Sequence, residues 1–421
     1  VISKIERSDS FQADRTEAQS ANSYRGPLAY AISCFFFWGL AYGLLDVLNK
    51  HFQDTLHVGK AESAWLQIAY FGAYLLMSLP AGAVMQARGY KFGIVSGLVV
   101  TALGAFLFVP SAQVANFQAF VVSMFVLATG LCFLETAADT YVNVLGRPDD
   151  AARRLNLAQS FNGLGVLAGP LIGGSLFFSD ATMRALGGEH RSVQVTYAVI
   201  GVLVLLFAAV LARANLPEVR DADHGPASDG EAKPLGQQRH FVFGVATQVL
   251  YIGAQVGIGA YFINLVTETW PGLSTQKGAF LLSAAMLAYL VGRFLGTALM
   301  SKVAPRTLLL CYAVINAGLT LVVAAGIPKI SALALVAVFF FMSIMFATIF
   351  TLGVRDLGAS TKQGAAMMVM AIGGGVLLPW PMGKIAELYG TPVAFLLPAA
   401  CFVVVGLYAW KGAGTSVEAR R

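Results

Sequence analysis

Four ionisable side chains stand inside long apolar runs of this chain: Asp46, Glu135, Asp139 and Arg293. Hydrocarbon makes such groups costly, so each marks a functional position, with a structural hydrogen bond or a helix end as the plainer alternative. Glu135 and Asp139 are one helical turn apart, with Asn143 one turn further. Two carboxylates on one face of a helix in a low dielectric do not both ionise easily. One can hold a proton at neutral pH and release it when water enters. Trp38, Tyr42 and Asp46 step by four, so one helical face offers an aromatic plane and a carboxylate. The candidates for proton coupling are therefore Asp46, Glu135 and Asp139. Arg293 falls toward the end of its run, where it would snorkel or help close a gate.

The neutral polar groups suggest a ligand rich in hydroxyls. Asn156, Gln159 and Asn162 step by three along one run. Amides donate and accept together, which suits such a ligand, although they also join helices in membranes. Tyr251, Gln255, Tyr261 and Asn264 add hydroxyls and amides later in the chain, and Trp380 adds another aromatic plane. The candidate substrate-binding set is Trp38, Tyr42, Asn143, Gln159 and Asn162, with Tyr251, Gln255, Tyr261, Asn264 and Trp380. No carboxylate falls in the interiors of runs 277–300, 306–325, 331–354 or 392–411. The titratable machinery is thus expected in the first half alone.

Other chemistries find no support. No P-loop, GxSxG or HExxH motif occurs. Cys34, Cys132, Cys311 and Cys401 all fall in apolar runs without metal-ligand spacing, and are expected to be small buried side chains. The five histidines map to loops or span ends. Gly373, Gly374 and Gly375 sit in an apolar run, where they predict close helix packing. No cofactor or metal is expected beyond a coupling ion.

These residues must be positioned by membrane-spanning helices. The 421 residues are 57% hydrophobic and 12% charged, against about 25% charged in a soluble domain. Runs of about 20 apolar residues occur at 28–49, 63–85, 92–111, 117–145, 156–179, 194–213, 241–266, 277–300, 306–325, 331–354, 363–387 and 392–411. The predicted fold is all-α, with twelve transmembrane helices in two six-helix halves. The expected divisions are a tail at 1–27, halves at 28–213 and 241–411, a polar linker at 214–240 and a tail at 412–421. The net charge of +6 comes from short basic pieces between apolar runs. That is the loop bias of membrane proteins, not a nucleic-acid footprint. Nineteen Lys and Arg fall on one set of loops and tails, and five (Lys50, Lys60, Arg184, Arg191, Lys329) on the other. This predicts cytoplasmic termini and a cytoplasmic linker in a multi-pass membrane protein. The halves echo one another: Gly82–Lys91 and Gly296–Arg306 each join a second span to a third with a Gly and a basic end. Two parallel six-helix halves with a site between them near the midplane are the plan of major-facilitator transporters.

Several stretches are similar to one family. FFFWGLAYGLLDVL (Phe35–Leu48), LETAADTYVNVLG (Leu134–Gly146), RLNLAQSFNGLG (Arg154–Gly165), GRFLGTALMS (Gly292–Ser301) and IGGGVLLPWPMG (Ile372–Gly383) resemble the fucose–galactose–glucose:proton symporters of the major facilitator superfamily. The resemblance runs over nearly the whole chain from span 1 to span 12. It implies an importer of a monosaccharide and a proton, working by alternating access. It also implies that Asp46 and Glu135 are required for transport, and that Gln159 and Asn162 line the cavity. The chain departs from the fucose carrier's pattern, which has two asparagines at Tyr42-Gly43, Asn-Pro at Asp139-Thr140 and Gln-Tyr-Pro at Met345–Ala347. Gly43 is expected to leave room beside the sugar. With Tyr42 it would widen selectivity toward galactose, glucose or an N-acetylated hexosamine.

The expected function is proton-coupled monosaccharide symport by a monomer in a lipid bilayer. A sodium-coupled sugar carrier that draws Asp139 into an ion site is the nearest alternative. An intramembrane enzyme would need a nucleophile or metal cluster, and a sensor a larger soluble domain.

Overall fold

The computed structural model describes residues 25–145, 151–216, 234–357 and 361–412. Twelve helices in it are long and apolar enough to cross a bilayer. Spans 1–6 are Gly26–Thr55, Lys60–Met85, Tyr90–Val114, Phe117–Val142, Leu157–Phe177 and Glu189–Arg213. Spans 7–12 are Arg239–Ala260, Thr275–Leu299, Pro305–Ala324, Ile330–Gly353, Met367–Tyr389 and Thr391–Lys411. Most of the linker expected at 214–240, and nearly all of both tails, lie outside the described residues.

The packing repeats between halves. Span 1 packs on span 5, span 2 on span 4, and span 3 on spans 4 and 6. In the second half, span 7 packs on span 11, span 8 on span 10, and span 9 on spans 10 and 12. An offset of six in span number relates every pair, as a duplicated six-helix unit requires. The halves meet where span 5 packs on span 8 and span 2 on span 11.

Helix ends differ from the hydropathy reading where polar residues extend a span. Span 1 continues to Thr55, not 49. His51 therefore lies inside the helix rather than in a loop. It is buried, with its ring 5.1 Å from that of Phe177. Aromatic packing covers the imidazole that hydropathy alone assigns to water. Span 7 ends its regular helix at Ala260, and Phe262–Thr269 follows as a separate helix beyond a break at Tyr261. Span 10 is broken near Ser343, and span 11 holds a 3-10 turn at Ala371–Val376. Breaks of this kind survive at membrane depth only where protein or a cavity covers them. Cys311 is exposed, whereas Cys34, Cys132 and Cys401 are buried. An apolar run cannot say which way a small side chain faces.

Spans 1 and 5 approach so closely that Gly43 has no room beside it. A Cβ built there would lie 2.4 Å from the carbonyl oxygen of Val166 and 3.1 Å from the Cα of Gly169. The expectation that Gly43 opens space for substrate is corrected: its missing side chain is filled by backbone from span 5. Small residues let helices in lipid approach to gain van der Waals contact. Gly43→Ala is expected to overpack this crossing and cost about 1–3 kcal/mol, read as a lower Tm in detergent. An unchanged Tm would show that the crossing relaxes freely.

Candidate functional site

The two halves are latched together on one side of the membrane, the side of the loop between spans 1 and 2. The side opposite carries the start of span 1 and the end of span 12 and is called the terminal side. Span 1 presents Asn49 and Gln53 toward the second half. Asn49 Nδ2 donates to the Ala260 carbonyl at 2.8 Å, and Asn264 Nδ2 donates to Gln53 Oε1 at 2.6 Å. The Tyr261 hydroxyl lies 2.8 Å from the carbonyls of both Lys60 and Pro379. Lys60 Nζ pairs with Glu268 Oε1 at 2.7 Å and donates to Thr391 Oγ1 at 2.7 Å. The Ala61 amide donates to Glu387 Oε1 at 2.9 Å. Together these contacts form a closed gate on the loop side.

Asp46 lies just below the gate and belongs to its floor. It is 3% exposed, and a Cβ on Gly259 would sit 2.5 Å from its Oδ2. The carboxylate therefore packs on bare backbone of span 7. Its polar neighbour is Gln67 of span 2. Asp46 Oδ2 and both polar atoms of the Gln67 amide are buried without a hydrogen-bond partner of good geometry.

Tyr42 connects this floor to the second half, lying within electrostatic reach of Asp46, Tyr70 and Tyr289. Tyr289 accepts from Arg293 Nη2 at 3.1 Å, and the guanidinium stands 5.1 Å from the ring centroid. Tyr251 is fully buried, donates to the Met342 carbonyl at 2.8 Å and is also near Tyr289 and Arg293. Arg293 is thus held by the Tyr289 hydroxyl and does not snorkel, which corrects the first of the two roles expected for it.

The second carboxylate group lies deeper, toward the terminal side. Cys34, Phe35, Trp38, Leu134, Glu135 and Ala138 line a small crevice. The Trp38 ring packs edge-on to Phe35 at 6.0 Å. Glu135 is close to Tyr74 and Asp139. Glu135 Oε2 and Asp139 Oδ1 are buried without partners. Among the described residues, no Lys, Arg or His forms an ion pair with Asp46, Glu135 or Asp139.

The remaining candidates divide. Gln159 and Gln255 are half-buried. Asn162 Nδ2 reaches the Phe35 carbonyl at 3.4 Å, a long contact at the crossing of spans 1 and 5. Tyr261 and Asn264 are in the gate and not in the cavity, because span 7 breaks at Tyr261 and turns the next helix against span 1. Trp380 is 43% exposed, with Lys384 Nζ 6.0 Å from its ring centroid. The side chains of Asn143 and Asn156 lie outside the described residues. Sequence reasoning passed over Gln67, Tyr70 and Tyr74 of span 2 and Tyr289 of span 8. The first three follow i, i+3, i+7 and share a face, a pattern that is legible but carries no charge to draw notice.

A model of the Major Facilitator Superfamily matches residues 30–377. The chain is 35% identical to the L-fucose-proton symporter of Escherichia coli (strain K12), covering 96% of this chain and 97% of that one. It is 34% identical to a glucose/galactose transporter of Brucella abortus biovar 1 (strain 9-941), covering 94% and 96%. The crystal structure of a fucose:proton symporter in the outward conformation superposes with a TM-score of 0.66 at 35% identity, covering 93% of this chain and 100% of that one.

The gate must open if both sides are to be reached in turn. Lys60→Ala removes the ion pair with Glu268 and the bond to Thr391 together. Spin labels at Asn116 and Ile327, one on each half at the loop side, should then report a larger share of long distances. A distribution identical to that of the parent protein would show that Lys60 does not latch the halves.

Proposed function

This chain belongs to the Major Facilitator Superfamily, and we propose that it is a proton-coupled symporter of monosaccharides working by alternating access. The observation that carries the reading is the pair Asp46, which is buried, and Glu135, which is half-buried with its Oε2 sealed from water, neither with a basic partner among the described residues. An uncompensated carboxylate charge is too costly to bury, so closure over such a group goes with a proton on it. Likeness to the L-fucose-proton symporter and the glucose/galactose transporter supports a hexose or 6-deoxyhexose as substrate. The chain is a transporter and not an enzyme.

The moving bodies are residues 28–213 and 241–411, joined by 214–240. The sequence assigns nineteen loop and tail Lys and Arg to the terminal side and five to the loop side, so the termini face the cytoplasm of a bacterial inner-membrane protein. The gate seen here then closes the path from outside. The relative in its outward conformation represents the opposite end of the cycle. Proton and sugar bind from outside, and their binding favours closure of the loop-side gate. Opening of the terminal side wets Glu135, and the proton and sugar leave. Each ligand shifts the equilibrium only by its difference in affinity between the two states.

The sugar lies between Trp38 and Tyr42 on one side and Gln255, Tyr289 and Arg293 on the other, with Gln159 and Asn162 beside it. Aromatic faces cover the apolar side of a pyranose, and amides and hydroxyls bind its hydroxyls. The protein works as a monomer, with lipid around it.

Three outcomes are expected in proteoliposomes. Glu135→Gln keeps shape and hydrogen bonding but cannot titrate, so uphill accumulation should vanish while sugar exchange persists. Normal uphill uptake by this variant would remove Glu135 from coupling. The proton is a co-substrate, so uptake should rise as external pH falls and need no sodium. With one proton per sugar, each unit of pH gradient is worth about tenfold in accumulation. Strict sodium dependence at fixed pH would transfer the assignment to a sodium-coupled carrier with Asp139 at its ion site. Tyr42→Asn, with Gly43 retained for the helix crossing, should shift preference toward L-fucose over D-galactose and D-glucose. An unchanged ranking in competition assays would show that Tyr42 does not set selectivity.

A further inference from the structure

Span 2 carries three buried polar side chains on one face, Gln67, Tyr70 and Tyr74, exposed to 0%, 2% and 8%. They occupy the interval between the two carboxylates of the first half. Gln67 is beside Asp46 at the gate floor, and Tyr74 is beside Glu135. Seven residues of helix separate the two levels, about 10 Å along the axis, which is too far for one hydrogen bond. Tyr70 fills the middle. Its ring stacks on Tyr74 at 5.4 Å and lies 6.2 Å from Tyr42. Both Gln67 amide atoms, the hydroxyls of Tyr70 and Tyr74, and Glu135 Oε2 are buried without a partner of good geometry. Unpaired polar groups this deep are normally removed or satisfied. Gathered in a row, they offer the two to four partners that a bridging water needs.

Resting on the symport reading above, we propose that Gln67, Tyr70 and Tyr74 form a proton relay between Asp46 at the gate and Glu135 beside the cavity, separate from the sugar's path. The Asp46 carboxyl gives its proton to a water oriented by the Gln67 amide, and that water passes one of its protons to the Tyr70 hydroxyl oxygen. Tyr70 hands its own proton to Tyr74, and Tyr74 hands its own to Glu135 Oε2. Asp46 ends as a carboxylate and Glu135 as a neutral acid, while the water and both tyrosines regain their starting composition. Gln67 is a positioning residue and takes no net proton.

The relay fits the geometry of the state. With the loop side latched, a proton on Asp46 has no exit past Asn49, Gln53 and Asn264. Glu135 and Asp139 lie toward the terminal side, away from the latched gate. The other titratable or charged groups facing the row are Tyr42 and Asp46 of span 1, and Cys132, Glu135 and Asp139 of span 4. Arg293 with Tyr289 of span 8 reaches it through Tyr42. Among the described residues facing the row, the one cation, Arg293, is held by Tyr289 rather than by the carboxylates. Sugar contact is a poor account of Tyr70 and Tyr74, since both are closed off by spans 1, 2 and 4.

The test uses Tyr70→Phe and Tyr74→Phe, which delete a hydroxyl and keep the ring. Each purified full-length variant is reconstituted with whichever of L-fucose or D-galactose the parent accumulates. Three readings are taken: uphill uptake under an imposed pH gradient, sugar-driven proton entry reported by an internal pH dye, and equilibrium sugar exchange with its KM. Exchange needs no net proton movement and serves as the check on folding. Uphill uptake and proton entry are expected to fall at least tenfold in each variant, with exchange rate and KM within twofold of the parent. In a Glu135→Gln background, Tyr74→Phe should lower uptake no further. The relay is overturned if both variants couple sugar to protons as the parent does, or if exchange falls in step with uptake, which indicates a structural or sugar-binding role. A parent that carries sugar without any proton movement overturns the symport reading itself, and the relay with it.

Discussion

A carboxylate in low dielectric without a counter-charge is the constraint on which the rest of this molecule depends. Moving such a group out of water costs several kcal/mol even after relaxation. A protein that buries Asp46 and seals one oxygen each of Glu135 and Asp139 from water, with no basic partner among the described residues, must neutralise them with protons or wet them. An Arg or Lys beside each would have made them stable and inert. The guanidinium of Arg293 in span 8 is instead held by the Tyr289 hydroxyl. The cost of the unpaired charge thereby becomes a dependence of conformation on proton occupancy.

That dependence is useful only if the gate is weak enough to be decided by it. Lys60 and Glu268 are 24% and 38% exposed, so their pair contributes about 0–1 kcal/mol. The amide bonds from Asn49 and Asn264 each contribute about 0.5–1.5 kcal/mol. A handful of such contacts is comparable to the cost of an unprotonated Asp46 pressed on Gly259. Large apolar interdigitation at this boundary would have locked the halves, and a single ion pair would not have sealed them. Gly259 matters because any larger residue there would meet the carboxylate before the gate closed.

Much of this was legible in the residue order. Twelve apolar runs, the basic bias of one set of loops and the spacing of Asp46, Glu135 and Asp139 lead directly to the helices and to the charged groups. Hydropathy misplaced what depends on neighbours. It ended span 1 before His51, which aromatic rings cover. It placed Tyr261 and Asn264 in the cavity, because the break in span 7 changes direction without changing composition. It read the missing side chain at Gly43 as space, whereas span 5 backbone occupies that volume. A single sequence shows which atoms are absent at a position and does not show what fills the gap.

The division of labour between the halves follows from the same constraint. Spans 8, 9, 10 and 12 carry no Asp or Glu, and the second half's Glu268 and Glu387 belong to the gate, so under the proposed coupling the proton sites lie in the first half. It acts through contact: Asp46 on the backbone of span 7, Asn49 on the Ala260 carbonyl, and Tyr42 toward Tyr289. The second half supplies surfaces that the first half either meets or leaves. A duplicated fold with a symmetric packing plan thus works asymmetrically. In the proposed mechanism one copy senses the proton, and the other provides the backbone and hydroxyls against which that proton's presence is felt.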